Sequence, residues 1–119
     1  MTFSAIRAAE SVRRWFASAG HDRQAAPEQQ RYLRILEDFC ACRKTTPDDL
    51  VAFCYLRRRA GGERFVSVKR RATVNEWLEE FADEQGWTGK EAVVNANVVR
   101  SFLIHNGILI QGRVWTGPP

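Results

Sequence analysis

The sequence predicts a mostly α fold: a compact five-helix domain whose last helix is central and buried. Apolar residues recur every three or four positions through most of the 119 residues, which is the spacing of amphipathic helices. A hydrophobic fraction of 45% in a chain of this length can fill one core but not two. Motifs typical of helix starts occur at Thr46-Pro47-Asp48-Asp49, Thr73-Val74-Asn75-Glu76 and Thr88-Gly89-Lys90-Glu91. We therefore expect residues 1–119 to form a single domain.

The first predicted helix is amphipathic and ends at Gly20. Its apolar stripe runs from Phe3 through Ile6 and Val12 to Trp15 and Phe16, with charged residues between them. Residues 21–26 have no periodicity and precede Pro27, so they are expected to form a loop. Residues 1–20 could therefore detach as an N-terminal helix, which leaves residues 27–115 as the helical core.

Helices two and three are predicted at residues 27–43 and from Pro47 onward. Thr46 can cap the third helix with its hydroxyl, and Asp48 and Asp49 favour the positive end of the helix dipole. We expect this helix to stop before the Gly61-Gly62 pair. Its last turn would then contain three consecutive arginines, and residues 65–68 would form either a short strand or an irregular segment.

Helix four is predicted at residues 74–85, with an apolar stripe and a strongly acidic outer face. Six acids and one lysine give residues 76–91 a charge of −5. Helix five, residues 89–106, has only a narrow polar strip and should be buried on most sides. Gly107 suits a left-handed helix end, after which residues 108–115 are expected to form either a short extended segment or a short, wing-like β-hairpin.

Helix four, the Gly86-Trp87-Thr88 turn and helix five form a helix-turn-helix candidate that the predicted hairpin would follow. The arrangement is similar to that of winged-helix regulators, which implies a second helix lying in the DNA major groove. The order of helices also resembles the helical core-binding module of phage-type integrases. Helix five, however, offers a groove only five polar side chains, so major-groove reading is not our leading hypothesis. They are Lys90, Asn95, Asn97, Arg100 and His105.

A basic stretch at residues 56–71 dominates the charge pattern. Seven basic residues against Glu63 give it +6, whereas the whole chain carries +4. Cations in a last helical turn could simply complement the helix dipole. Three in succession span most of the helix circumference, so a phosphate-binding surface is the favoured interpretation. The predicted contacts are Arg57, Arg58, Arg59, Arg64, Lys69, Arg70 and Arg71, with Arg100 and Arg113 extending the surface.

Other classes of function find little support in the sequence. The two histidines and three cysteines form neither a nucleophile-base pair nor a zinc motif, so we expect no enzyme, metal or cofactor. An odd number of cysteines without framework spacing suits a reducing, cytoplasmic location. Charged residues interrupt every apolar run, which argues against a membrane-spanning segment.

The leading hypothesis is thus a small basic accessory or regulatory protein that binds nucleic acid, with DNA as the favoured form. The alternative is a non-catalytic protein-interaction subunit or inhibitor that acts within a nucleic-acid-processing complex. Under that alternative, the N-terminal helix could bind a protein partner or form a homodimer.

Overall fold

Helices account for most of the structure, a computed structural model that describes residues 3–58, 61–112 and 114–118. The Cα radius of gyration is 14.5 Å, near the ~13.5 Å expected of a compact chain of this length. The predicted mostly α fold is confirmed, although the described residues form six α-helices rather than five. The elements are α1 (Phe3–Ala8), α2 (Glu10–Ala19), a 3-10 turn (His21–Arg23), α3 (Ala26–Cys42), α4 (Pro47–Cys54), β1 (Tyr55–Arg57), β2 (Arg64–Val66), α5 (Val68–Glu84) and α6 (Gly89–Ile104).

The first predicted helix is divided at Ala9, whose backbone is extended at φ −60° and ψ 137°. Ala9 has no side chain that can cap α2, and a residue of α4 takes this role. The Asp48 carboxylate accepts hydrogen bonds from the Ser11 backbone amide, at 3.0 Å, and from the Ser11 hydroxyl. Asp48 thus stabilises the positive end of α2 while lying in the first turn of its own helix.

The N-terminal helices contribute to the core. Ile6, Val12, Trp15 and Phe16 are each 0% exposed. The Trp15 indole also donates a 3.1 Å hydrogen bond to the Ser101 hydroxyl of α6. These contacts count against easy detachment of residues 1–20, which stays a prediction.

Helix α4 starts at the predicted Thr46 cap but ends earlier than predicted, at Cys54. Thr46 accepts a hydrogen bond from the Asp49 amide at 3.1 Å. The helix stops at Cys54 because Tyr55 turns to extended backbone, with φ −101° and ψ 140°, and begins a strand. The Tyr55 hydroxyl donates to the Asn106 carbonyl at 2.9 Å, close against Gly107. The expectation that Arg57 and Arg58 lie in the last turn of this helix was therefore wrong, and Arg59, the third residue of that prediction, lies outside the described residues.

The hairpin lies in the middle of the chain and not at its end. Strands β1 and β2 pair antiparallel, with Tyr55 opposite Val66, Leu56 opposite Phe65 and Arg57 opposite Arg64. No strand occurs in residues 108–112 or 114–118, so the predicted C-terminal wing was wrongly placed. That segment packs on the helices instead: Ile108 is 0% and Ile110 4% exposed.

Helix α5 begins six residues earlier than predicted. The Ser67 hydroxyl accepts from the Arg70 amide at 3.2 Å and forms the actual cap. The Thr73 hydroxyl, expected to cap the helix, donates to the Lys69 carbonyl within it. The residues from Lys69 to Arg71 consequently lie in the first helical turn.

Helix α6 is the central helix, as predicted. It packs against α2, α3 and α5, and Val99, Phe102 and Leu103 are each 0% exposed. The hydrophobic core of the molecule therefore surrounds the C-terminal half of α6.

Candidate nucleic-acid interface

The hairpin formed by residues 55–58 and 61–66 carries the predicted contacts Arg57, Arg58 and Arg64, and we call it the basic hairpin. It places two arginines directly opposite each other. Arg57 and Arg64 are Cα partners in the antiparallel register and both are exposed. Partners in such a pair point to the same face of the ribbon, where like charges destabilise the pairing. This arrangement leaves two guanidinium groups side by side at the surface.

The face of the basic hairpin that carries this pair is attached to the protein body through Tyr55. Tyr55 lies two residues before Arg57, so the two side chains share a face. The Arg64 guanidinium carbon lies 4.2 Å from the centre of the Tyr55 ring. Because the Tyr55 hydroxyl is hydrogen-bonded to the Asn106 carbonyl, the ring is a fixed support that orients Arg64.

The opposite face carries Leu56, Arg58 and Phe65. Leu56 and Phe65 are cross-strand partners, and the Arg58 guanidinium carbon lies 5.4 Å from the centre of the Phe65 ring. Phe65 remains 39% exposed. Neither Tyr55 nor Phe65 was among the site residues predicted from the sequence. The sequence pattern that could have identified them is the alternation of aromatic, aliphatic and basic residues on each side of the Gly61-Gly62 turn.

The first turn of α5 adds three cations beside the hairpin in sequence. Lys69 is exposed, whereas the other two donate to backbone carbonyls: Arg70 to Phe53 at 3.0 Å and Arg71 to Leu109 at 2.8 Å. Arg70 and Arg71 are half-buried, and these bonds fix their orientation. Their contribution to a surface is therefore smaller than that of Lys69.

Arg100 does not extend this surface, contrary to the prediction. Its side chain is 2% exposed and donates to Asn75 at 2.9 Å, to Asn97 at 3.0 Å and to Glu79 at 3.3 Å. It therefore joins α5 to α6 inside the protein. The predicted contacts Arg59 and Arg113 lie outside the described residues.

The polar strip of α6 is largely used within the protein and does not present a recognition surface. Asn95 accepts from Arg31 at 3.3 Å, and His105 shares a 2.7 Å hydrogen bond with Ser18. Asn97 accepts from buried Arg100, and Gly112 of the C-terminal segment lies against it. Of the five candidate side chains, Lys90 has no such contact with the residues that the structure describes. This geometry disfavours insertion of α6 into a major groove.

The acidic residues of α5 do not neutralise the basic stretch. Glu80 pairs with Arg43 at 2.7 Å, Glu79 with Arg100, and Glu84 accepts a hydrogen bond from the Cys42 thiol at 3.0 Å. Within the described part of the chain, no ion pair includes Arg57, Arg58, Arg64, Lys69, Arg70 or Arg71.

No protein-family model, curated protein or solved structure matches this chain.

Other sites offer less chemistry. Across residues 3–58, 61–112 and 114–118, no three His, Cys, Asp or Glu side chains converge as a metal site requires. Burial raises the pKa of Cys40 to about 12 and that of Cys54 to about 11, which disfavours the reactive thiolate. None of the described helices combines the length and apolar character needed to cross a bilayer.

Proposed function

We propose that the protein is a small, non-catalytic nucleic-acid-binding protein, with DNA as the favoured form, and that the basic hairpin contacts phosphates. The observation that carries this proposal is the pairing of Arg57 with Arg64. Two exposed like charges at directly opposed positions weaken a hairpin, and no described acid pairs with either of them. A bound phosphate backbone would convert this repulsion into attraction.

The charges of α5 support the same interpretation. A helix is stabilised by acids in its first turn and by cations in its last turn, each by roughly 0.3–1 kcal/mol. Helix α5 has the reverse: Lys69, Arg70 and Arg71 lie at its start, and Asp83 and Glu84 at its end. The helix dipole therefore does not explain these cations. Arg70 and Arg71 donate to backbone carbonyls, which leaves exposed Lys69 as the cation of this turn that is available to an external anion.

Four exposed cations form the proposed contact set: Arg57, Arg58, Arg64 and Lys69. Arg58 and Arg64 are held over aromatic rings, so little side-chain freedom is lost when they bind. Guanidinium groups also match phosphate oxygens in a bidentate geometry. Arg70 and Arg71 would contribute charge from fixed positions, while Arg59 and Arg113 are included from the sequence alone.

Binding of the intact protein to labelled oligonucleotides tests this proposal. If each of the four cations contacts one phosphate, affinity should fall with salt with a log-log slope of about −3, from about 0.7 to 0.9 per contact. The double variant Arg57→Ala, Arg64→Ala should weaken binding and flatten the slope by about 1 to 2. The matched control is Arg13→Ala, Arg34→Ala, which removes two exposed arginines from α2 and α3. Equal effects of the two double variants, or none, would contradict the proposed site.

A protein-interaction subunit is the second candidate, and one apolar surface favours it. Val68 is 68% and Leu109 72% exposed, and both line a groove of about 300 Å³ with Arg71. Changing both apolar residues to Ser should abolish binding of a partner protein and leave oligonucleotide binding unchanged. A dimer through the N-terminal helix is less favoured, because its aromatic residues Trp15 and Phe16 are fully buried in their own chain. A cytoplasmic location remains part of the proposal, on the basis of three free cysteines.

A further inference from the structure

We propose that the nucleic acid bound by the basic hairpin is single-stranded, and that Phe65 is the platform on which one of its bases stacks. This inference rests on the function proposed above and adds the strand type to it. The hairpin supplies the two components that single-strand binding needs, namely cations that follow the phosphates and an exposed aromatic ring.

Phe65 has the exposure and surroundings that such a platform requires. It is 39% exposed, although a ring of this size could be buried against the core as Phe39, Phe81 and Phe102 are. Its cross-strand partner Leu56 supports it within the ribbon, and Arg58 lies over the ring at 5.4 Å. A base that stacks on Phe65 would therefore have its own phosphate within reach of a cation on the same face.

The other aromatic residues near the hairpin are already engaged. The Tyr55 ring is covered by Arg64 and its hydroxyl is bonded to Asn106. Phe53 and Trp77 stack on each other with ring centres 5.2 Å apart, and Arg70 lies over Phe53 at 4.9 Å. Among the described residues, Phe65 is thus the aromatic ring at the basic hairpin that remains available for stacking.

The chemistry of this face fits a single strand better than a duplex. In a duplex the base faces are stacked on one another, and the grooves present base edges that are mostly hydrogen-bond donors and acceptors. Leu56 and Phe65 offer no hydrogen bonds to such edges. A side chain inserted between two base pairs must partly unstack them, which costs about a few kcal/mol per step. Arg58 occupies one face of Phe65, so a single base on the other face satisfies the geometry.

The experiment uses the full chain and three labelled probes of the same length, about 12 nucleotides, within the ~4–16 that such sites occupy. The probes are a mixed-sequence single strand, its duplex, and an abasic strand that has the phosphates but no bases. Fluorescence anisotropy at low salt gives each affinity. We expect the base-bearing strand to bind about five- to a hundredfold more tightly than the abasic strand, because one stacked base contributes that much.

Substitutions at Phe65 separate stacking from charge. Phe65→Ala and Phe65→Leu should lower the affinity for the base-bearing strand to that for the abasic strand, whereas Phe65→Tyr should retain it. Phe65→Leu keeps an apolar partner for Leu56, and circular dichroism of each variant checks that the fold is intact. Arg57→Ala should weaken binding of both strands by the same factor, since it removes a phosphate contact.

The outcomes distinguish this inference from the function on which it rests. Salt-dependent binding that favours the duplex, or that is unaffected by Phe65→Ala, would overturn the single-strand inference and leave the proposed function standing. If neither strand nor duplex binds at low salt, the proposed function fails together with the inference. The basic hairpin would then be a docking surface for an acidic protein.

Discussion

Arg57 and Arg64 face each other across the hairpin at positions where one acidic residue would have given a stabilising pair. The two arginines lie on either side of the Gly61-Gly62 turn. The neighbouring Tyr55–Val66 and Leu56–Phe65 pairs set their register. An opposite-charge pair at such a site contributes about 0.2–1 kcal/mol, whereas like charges destabilise. The Arg57–Arg64 pair therefore lowers the stability of the hairpin and concentrates positive charge at the surface. Both effects can be measured.

Arg57→Glu should stabilise the protein and weaken oligonucleotide binding at the same time. The new carboxylate would pair with Arg64, which keeps its contact with Tyr55, so the free energy of unfolding should rise by up to about 1 kcal/mol. Urea denaturation and anisotropy measure the two effects. Arg34→Glu on α3 is the control and should change neither quantity appreciably. A loss of stability in the hairpin variant would show that Arg57 has a structural role.

Arg100→Ala should destabilise the fold by about 2–4 kcal/mol, because it removes a buried guanidinium that joins α5 to α6. Glu79→Gln should have a smaller effect, below about 1 kcal/mol, since the Glu79 side chain is 46% exposed and its charge is screened by water. Denaturant titration measures both. If Arg100→Ala left stability unchanged and weakened oligonucleotide binding, Arg100 would be a nucleic-acid contact, as the sequence predicted, and not a buried link between α5 and α6.

The sequence reveals local signals in this fold better than signals that depend on distant partners. The Thr46 cap, the left-handed Gly107 at φ 87° and the buried α6 were all predictable, because capping, backbone conformation and periodicity are local properties. The early end of α4 was not, since Tyr55 is held by Asn106, a residue 51 positions away. At the start of α5 the Ser67 hydroxyl forms the cap, whereas Thr73, which was predicted to cap the helix, donates to the Lys69 carbonyl within it.

The candidate site shows the same division. Counting charges located the basic stretch, and four of its cations, Arg57, Arg58, Arg64 and Lys69, are exposed. Charge alone cannot separate an exposed arginine from a buried one, so Arg100 was assigned to the wrong environment. Its partners Asn75 and Asn97 come from two helices, and no sequence motif links them.

Asp48→Ala should destabilise the protein by about 1–2 kcal/mol, since the cap of α2 is lost. Ser11 would then have an amide and a hydroxyl without their shared acceptor. Asp49→Ala is the matched control, because Asp49 lies in the same turn and contributes its backbone amide to the Thr46 cap. Thermal unfolding should show a clear decrease in Tm for the first variant and a smaller one for the second. Equal decreases would indicate that Asp48 stabilises the protein only through the dipole of α4, as Asp49 does, and not through the cap of α2.

Thiol alkylation should proceed in two stages. Cys42 is exposed, but its hydrogen bond to Glu84 raises its pKa, so native protein should react slowly at one site. Glu84→Ala should accelerate that reaction. Burial raises the pKa of Cys40 to about 12 and that of Cys54 to about 11, so these thiols should react only after unfolding. Mass spectrometry of iodoacetamide-treated peptides distinguishes the sites, and rapid labelling of Cys40 in native protein would contradict the packing of α3.

Stability should decrease as the pH falls below about 6.5, the ordinary pKa of histidine, partly because of His21. Its ring stacks on Tyr32 with centres 4.2 Å apart and has edge contacts with Trp15 and Phe16. Burial, followed by the proximity of His105, lowers the pKa of His21, and the carboxylates of Glu28 and Asp22 only partly oppose this. The unfolded chain therefore binds a proton at a higher pH than the folded chain does. Acidification through this range favours unfolding, and the contribution is absent above it.

His21→Phe keeps an aromatic ring on Tyr32 and removes the titrating group. Urea midpoints for wild type and variant at about pH 5 and about pH 7.5, on either side of the histidine range, isolate the effect, because all other groups titrate in both proteins. The wild type should lose more stability than the variant between these pH values. Parallel losses would mean that the imidazole is protonated as easily in the folded protein as in water, and that the aromatic cluster around it opens to solvent.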